Sequence, residues 1–270
     1  MTPLDSAMAS ETRADTTIRL DDITLAYGQG DAKVVAIEEF SCEIKQGEFV
    51  TIVGPSGCGK SSLLRVLMGL QRPTKGRVSH GATQITHPTR EFGMVFQAPV
   101  LLPWRNIREN VAMPARVARE NMVQARKRAD ELLAMVGLEG FGDRHPWELS
   151  GGMQQRAGIA RSLLHDPDVL LMDEPFAALD ALTREKMMFE LQKIWMKQQK
   201  TVVFVTHGIS EAVFLSSKII VMTGRPGRVL KVIENPLPRP RQLSHMASDT
   251  FAEISVELRR LLGASDMGDN

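Results

Sequence analysis

The chain has 270 residues, enough to bury a full core as one large domain or as two subdomains. Its 33 Lys and Arg balance 32 Asp and Glu to a formal charge of +1, which excludes long-range attraction of nucleic acid or anionic lipid and leaves only local basic patches open. The two cysteines, Cys42 and Cys58, imply no disulfide framework and suit a reducing cytosol. No apolar run approaches the ~20 residues that span a bilayer, so a pore, if one is involved, belongs to another chain.

Residues 1–17 are polar, lack the apolar stretch of a secretory signal and read as a flexible leader. Alternating apolar positions then predict strands: Ile18 and Leu20; Ile23, Leu25 and Tyr27; Phe40, Cys42 and Ile44. Phe49-Val50-Thr51-Ile52-Val53 reads as a short buried strand and Ser62 to Met68 as a helix. Gly76-Arg77-Val78-Ser79 and Phe92-Gly93-Met94-Val95-Phe96 read as further strands. From about 106 to 165 helical patterning takes over, with Arg126-Lys127-Arg128 beside Leu132, Leu133 and Val136, broken at Gly137, Gly140 and Gly142. Strands return at Val169–Met172, Val202–Val205 and Ile219–Met222. Between the first two of these, Ala181 to Gln199 predicts an amphipathic helix anchored by Leu182, Leu191, Ile194 and Trp195. Pro236-Leu237-Pro238-Arg239-Pro240 predicts an extended linker, and Phe251 to Leu262 a short terminal helix. The sum is an α/β core interrupted by a helical insertion.

Three segments carry chemistry. Gly54-Pro55-Ser56-Gly57-Cys58-Gly59-Lys60-Ser61 has the spacing of a P-loop, and it lies between a strand and a helix, as that motif requires. Glycines let the backbone wrap so that several N–H groups face phosphate oxygens, and the helix N-terminus adds partial positive charge. Lys60 is expected to reach the β- and γ-phosphates of a nucleotide, and the Ser61 hydroxyl to ligate Mg²⁺. The second segment, Val169-Leu170-Leu171-Met172-Asp173-Glu174, is an apolar strand ending in two carboxylates. In open α/β sheets ligands gather at the carboxyl ends of strands. Asp173 is thus placed to hold Mg²⁺ through water, and Glu174 to polarise an attacking water; the plainer reading is a strand ending in two solvated acids. Third, Leu149-Ser150-Gly151-Gly152-Met153 opens a helix and offers either an anion site or an ordinary cap.

Taken in order, these segments resemble the nucleotide-binding subunit of an ATP-binding cassette (ABC) transporter over residues 18–235. Gly54 to Ser61 is similar to the family's Walker A loop, Asp173-Glu174 to its Walker B pair, Leu149 to Gly152 to its signature, and Ala178-Leu179-Asp180 to its D-loop. Met153 departs from the glutamine usual in the signature, and the D-loop carries Ala177-Ala178 where the family frequently has serine at the second position. The resemblance implies an α/β fold: a P-loop NTPase core of mainly parallel sheet, with an N-terminal antiparallel β-subdomain and an inserted α-helical subdomain at about 106–165. Residues 236–270 would follow as linker and short helix. It implies ATP and Mg²⁺ as cofactors, with nucleotide contacts from Tyr27, Gly54, Pro55, Ser56, Gly57, Cys58, Gly59, Lys60, Ser61 and Ser62. Metal contacts would come from Ser61, Gln97 and Asp173, and catalysis would involve Glu174, His207, Lys60 and Gln97. Ser150, Gly151 and Gly152 would meet the ATP held by a second copy, so the family implies a head-to-tail homodimer with two ATP sites at its interface. Integral-membrane permease subunits and, indirectly, a periplasmic solute-binding protein would complete the assembly, at the cytoplasmic face of the inner membrane.

Several positions have two readings. Tyr27 is either an adenine platform or a strand aromatic of the core. Val100-Leu101-Leu102-Pro103-Trp104-Arg105 is either a permease docking surface or core packing. Cys58 reads as an inert small filler of the P-loop. His80, His87, His145, His165 and His245 show no zinc-ligand pairing. Leu102-Pro103-Trp104, His145-Pro146-Trp147-Glu148 and Arg225-Pro226-Gly227-Arg228 together resemble importer ATPases for nitrate, taurine and aliphatic sulfonates. The competing functions are a soluble ABC ATPase without a membrane partner, a small-molecule P-loop kinase and a non-enzymatic binder.

Overall fold

The computed structural model describes residues 17–28 and 33–266, with side chains to 263. The leader expectation thus falls on residues outside those described except at Thr17, which is buried and whose carbonyl accepts from the Gly81 N–H. Strands β1 (Ile18–Tyr27) and β2 (Val34–Ile44) pair antiparallel, and β4 (Lys75–His80) and β5 (Thr83–Gln84) extend them in the order β2-β1-β4-β5. The step from Leu20 to Ile23 breaks strict alternation because the chain bulges there. Asp22 takes a φ of 53°, the register shifts, and Ile18, Leu20, Ile23 and Leu25 all stay on the buried face.

The main sheet is six-stranded, in the order β10-β9-β3-β8-β7-β6. It comprises β3 (Phe49–Val53), β6 (Phe92–Val95), β7 (Val169–Asp173), β8 (Thr201–Val205), β9 (Lys218–Met222) and β10 (Val229–Glu234). All neighbours run parallel except β10 against β9. β3 and β8 are buried at every position because both faces of the sheet are covered, which explains their unbroken apolar runs. Phe49 and Phe204 face one hydrophobic cluster, while Val50, Ile52 and Val203 face another shared with the antiparallel sheet. Each such side chain taken from water contributes about 2 kcal/mol.

Helix α1 (Lys60–Leu67) follows β3 directly. Between β6 and β7 lie α2 (Ile107–Val111), α3 (Met113–Val117), α4 (Met122–Met135) and α5 (Gly151–Ser162). Asn106, Asn121 and Ser150 cap α2, α4 and α5 through their side-chain oxygens, which fixes where each begins. Helix α6 (Ala181–Gln198) precedes β8, and α7 (Ile209–Leu215) links β8 to β9.

One expected anchor is corrected: Leu182 is 71% exposed, because the first turn of α6 carries it away from the core that holds Leu191 and Ile194. The proline-rich segment after β10 is extended but pinned down. Leu237 is buried, and the guanidinium of buried Arg241 donates to the carbonyls of Val213, Phe214 and Ser216 at the end of α7. Those donors, with the Asn235 amide that also donates to the Val213 and Ser216 carbonyls, satisfy carbonyls at the helix end. Helix α8 (Leu243–Met246) and the expected terminal helix, α9 (Asp249–Asp266), follow; Phe251, Ile254 and Leu258 of α9 join the main core. Among the described residues no helix is long and apolar enough to cross a membrane.

Candidate nucleotide site

The loop after β3 turns sharply at the carboxyl edge of the main sheet. Gly59 has φ 102°, and a Cβ there would lie 2.8 Å from Ile37 Cγ1 and 3.1 Å from the Ala36 carbonyl, so only glycine fits. Lys60 is buried, and its ammonium donates to the carbonyls of Gly54 at 2.7 Å and Pro55 at 2.9 Å. A cation held out of water by neutral partners, these two carbonyls and the Cys58 sulfur, is poised to attract an anion. An open cavity of about 270 Å³ lies against this loop. Tyr27, Ser56, Gly57, Gly59, Lys60, Ser61, Ser62, Glu174 and Arg225 line it, with Val34 and Ala36 of β2.

Tyr27 belongs to the cavity rather than to the core. It is 39% exposed, and its hydroxyl lies 2.8 Å from Ser62 Oγ and donates to Gln71 Oε1 at 3.1 Å. Cys58 is fully buried, its sulfur 3.8 Å from Lys60 Nζ. Burial pushes its thiol above the usual range, against the pull of Lys60. Thiolate is the nucleophile, so Cys58 is expected to resist mild alkylation with hydrolysis intact. Alkylation that abolishes activity and is blocked by prior ATP would contradict this.

The carboxylate pair at the end of β7 splits in direction. Ser61 Oγ donates to Asp173 Oδ1 at 3.0 Å. Burial pushes the Asp173 carboxyl above its ordinary range, opposed by the Ser61 hydrogen bond and aggravated by Glu174. A divalent cation between these oxygens would remove that penalty. Hydroxyl and carboxylate are the hard donors Mg²⁺ takes beside phosphate and water, so the pair fits the ion. Glu174 leaves the strand with φ 43°, a left-handed backbone that costs a non-glycine residue about 1 kcal/mol. This geometry turns its carboxylate into the cavity, 3.2 Å from His207 Nδ1 at the end of β8.

Gln97 is exposed at the bend after β6 and does not line the cavity. Ser150, Gly151 and Gly152, at the start of α5, also stand apart from it. One chain thus gathers Tyr27, the loop, Asp173, Glu174 and His207, and leaves Gln97 and the Ser-Gly-Gly turn elsewhere.

Two groups of residues near the site escaped the sequence reading. Arg184 donates to the Leu179 carbonyl and lies 3.5 Å from buried Glu211, which accepts from the Thr206 hydroxyl beside His207. No motif marks these residues, since the contacts cross between α6 and α7. Arg225 lines the cavity itself, although in sequence it shows only as part of a short motif.

A family model described as ABC transporter matches residues 37–177. An uncharacterised ABC transporter ATP-binding protein of Methanocaldococcus jannaschii is 43% identical over 258 residues, 96% of each chain. The aliphatic sulfonates import ATP-binding protein SsuB of Bacillus cereus is 40% identical over 238 residues, covering 88% of this chain and 92% of that protein. A solved dimeric ATP-binding cassette bound to ADP and Pi superposes with a TM-score of 0.70 at 37% identity, over 80% of this chain and 98% of that one. The class defined by the fold and the loop is therefore an α/β nucleotide-binding cassette. The chain belongs to the ABC transporter family, as an ATP-binding protein of that family.

Proposed function

We propose that the chain is the ATP-hydrolysing, energy-coupling subunit of a bacterial importer for a small solute such as an aliphatic sulfonate, taurine or nitrate. The observation that carries the reading is the convergence of the Lys60 ammonium, the Ser61–Asp173 pair and the Glu174–His207 pair on one phosphate-sized loop. The 40% identity to the sulfonate-import protein supports the solute class.

In this mechanism the loop N–H groups and Lys60 bind the β- and γ-phosphates of ATP and offset the charge that grows on the transferred phosphoryl group. Tyr27 offers its ring to adenine. Ser61 and Asp173 would hold Mg²⁺, which neutralises phosphate charge when bound. Glu174 orients or deprotonates the attacking water, and His207, hydrogen-bonded to that carboxylate, fixes its geometry. Gln97 and Ser150-Gly151-Gly152 join the site on closure. The Ser150 turn does so on the ATP of a second copy, as the dimeric state of the solved cassette supports. Binding would close the pair and hydrolysis reopen it.

Permease subunits would read that motion at the cytoplasmic face of the inner membrane. Trp104 is 71% exposed and Trp147 67%, and the Ile107 N–H donates to the Arg144 carbonyl, so the segments bearing both indoles are strapped together. Exposed tryptophans suit a docking anchor. Co-purification with a co-expressed permease, together with solute uptake in vesicles, tests this. Trp104→Ala is expected to lower recovery of the complex and uptake at least tenfold, with the fold intact; unchanged assembly and uptake would rule docking there out.

A further inference from the structure

Arg225 sits on a turn built to hold it against the P-loop. The turn begins after β9, where the Thr223 hydroxyl donates to the Pro226 carbonyl and accepts from the Arg228 N–H. Gly227 then bridges to β2: its N–H donates to Ala36 O at 2.9 Å and its carbonyl accepts from Glu38 N at 3.0 Å. A Cβ at 227 would fall 2.1 Å from the Cys58 carbonyl, so the turn presses directly on the loop and tolerates only glycine at that contact. Arg228 closes the clamp by pairing with Glu38.

The guanidinium of Arg225 is thereby left at the cavity mouth. Nη2 makes one long hydrogen bond, 3.4 Å to Gly57 O, and Arg225 forms no ion pair among the described residues. It shares the cavity with Lys60, Ser61 and Ser62 and with the Glu174 carboxylate, which is hydrogen-bonded to His207 rather than paired with Arg225. A fork of N–H donors with no ion-pair partner among the described residues, in one cavity with the Lys60 ammonium at the start of α1, matches a phosphate chain in geometry and charge.

The geometry points to Arg225 as a nucleotide-contacting residue that binds the phosphate chain of a nucleoside di- or triphosphate and adds a second fixed cation to the P-loop. This rests on the nucleotide reading of the cavity. The Thr223–Arg228 turn then serves as a positioning device joining β9, β2 and the loop.

Equilibrium binding of ATP, ADP and AMP to the full chain, wild type beside Arg225→Gln, Arg225→Lys and Lys60→Ala, separates the two claims. Arg225 is exposed, so its variants are expected to fold. Arg225→Gln is expected to weaken ATP about tenfold and AMP distinctly less, with Arg225→Lys retaining part of the affinity. Unchanged ATP affinity in Arg225→Gln while Lys60→Ala loses it would overturn the Arg225 assignment alone. Equal losses for ATP, ADP and AMP would also overturn it, by placing the contact on the nucleoside. Unchanged affinity in both Arg225→Gln and Lys60→Ala would overturn the nucleotide reading itself.

Discussion

Glu174→Gln is expected to slow ATP hydrolysis roughly 100-fold or more while ATP remains bound. The amide keeps the shape and can still hydrogen-bond His207, but it cannot take a proton from water. The backbone at Glu174 holds a φ of 43°, so the side chain is aimed by strained geometry that the isosteric change leaves in place. Loss of rate with retained binding therefore reports the carboxylate and not a collapsed site. Phosphate release under saturating MgATP, with bound nucleotide measured in parallel, checks it. Wild-type turnover in the variant would remove Glu174 from the chemistry.

Lys60→Ala acts at an earlier step. The ammonium is buried and held by the Gly54 and Pro55 carbonyls and the Cys58 sulfur, so without nucleotide it holds the loop closed on itself. Phosphate would replace those carbonyls with a charge-assisted partner worth about 1.5–3 kcal/mol. Truncation is thus expected to weaken ATP binding ten- to a hundredfold. It also leaves two loop carbonyls unpaired, so thermal stability without nucleotide should fall slightly. Calorimetric titration with MgATP reads the first effect, and unchanged affinity would show that the ammonium does not meet phosphate.

Much of this was legible in the sequence because its signals are local. The P-loop spacing, the apolar run before Asp173-Glu174 and the 2-residue alternation of β1 and β2 each act over fewer than about ten residues. Leu182 departs from its expected anchor role because helical periodicity alone does not say which way the first turn of a helix faces. The segment from Pro236 to Arg241 reads as a spacer by composition, yet Arg241 reaches back to carbonyls 25 to 28 residues away. The same holds for Arg184, Thr206 and Glu211, and for Arg225, which meets Gly57 across 168 residues of sequence. Alternation alone leaves Tyr27 open between core and cavity; its half-exposed place at the cavity lining follows from Ser62 and Gln71, 35 and 44 residues away in sequence.

In the proposed function one chain holds ATP at Lys60 and Glu174, and a second copy completes the site with its Ser150-Gly151-Gly152 turn. Light scattering of purified Glu174→Gln with and without ATP tests it most directly. The account predicts a monomer mass without nucleotide that doubles when ATP is added, with one ATP bound per chain. A mass that stays monomeric while ATP is demonstrably bound would contradict it.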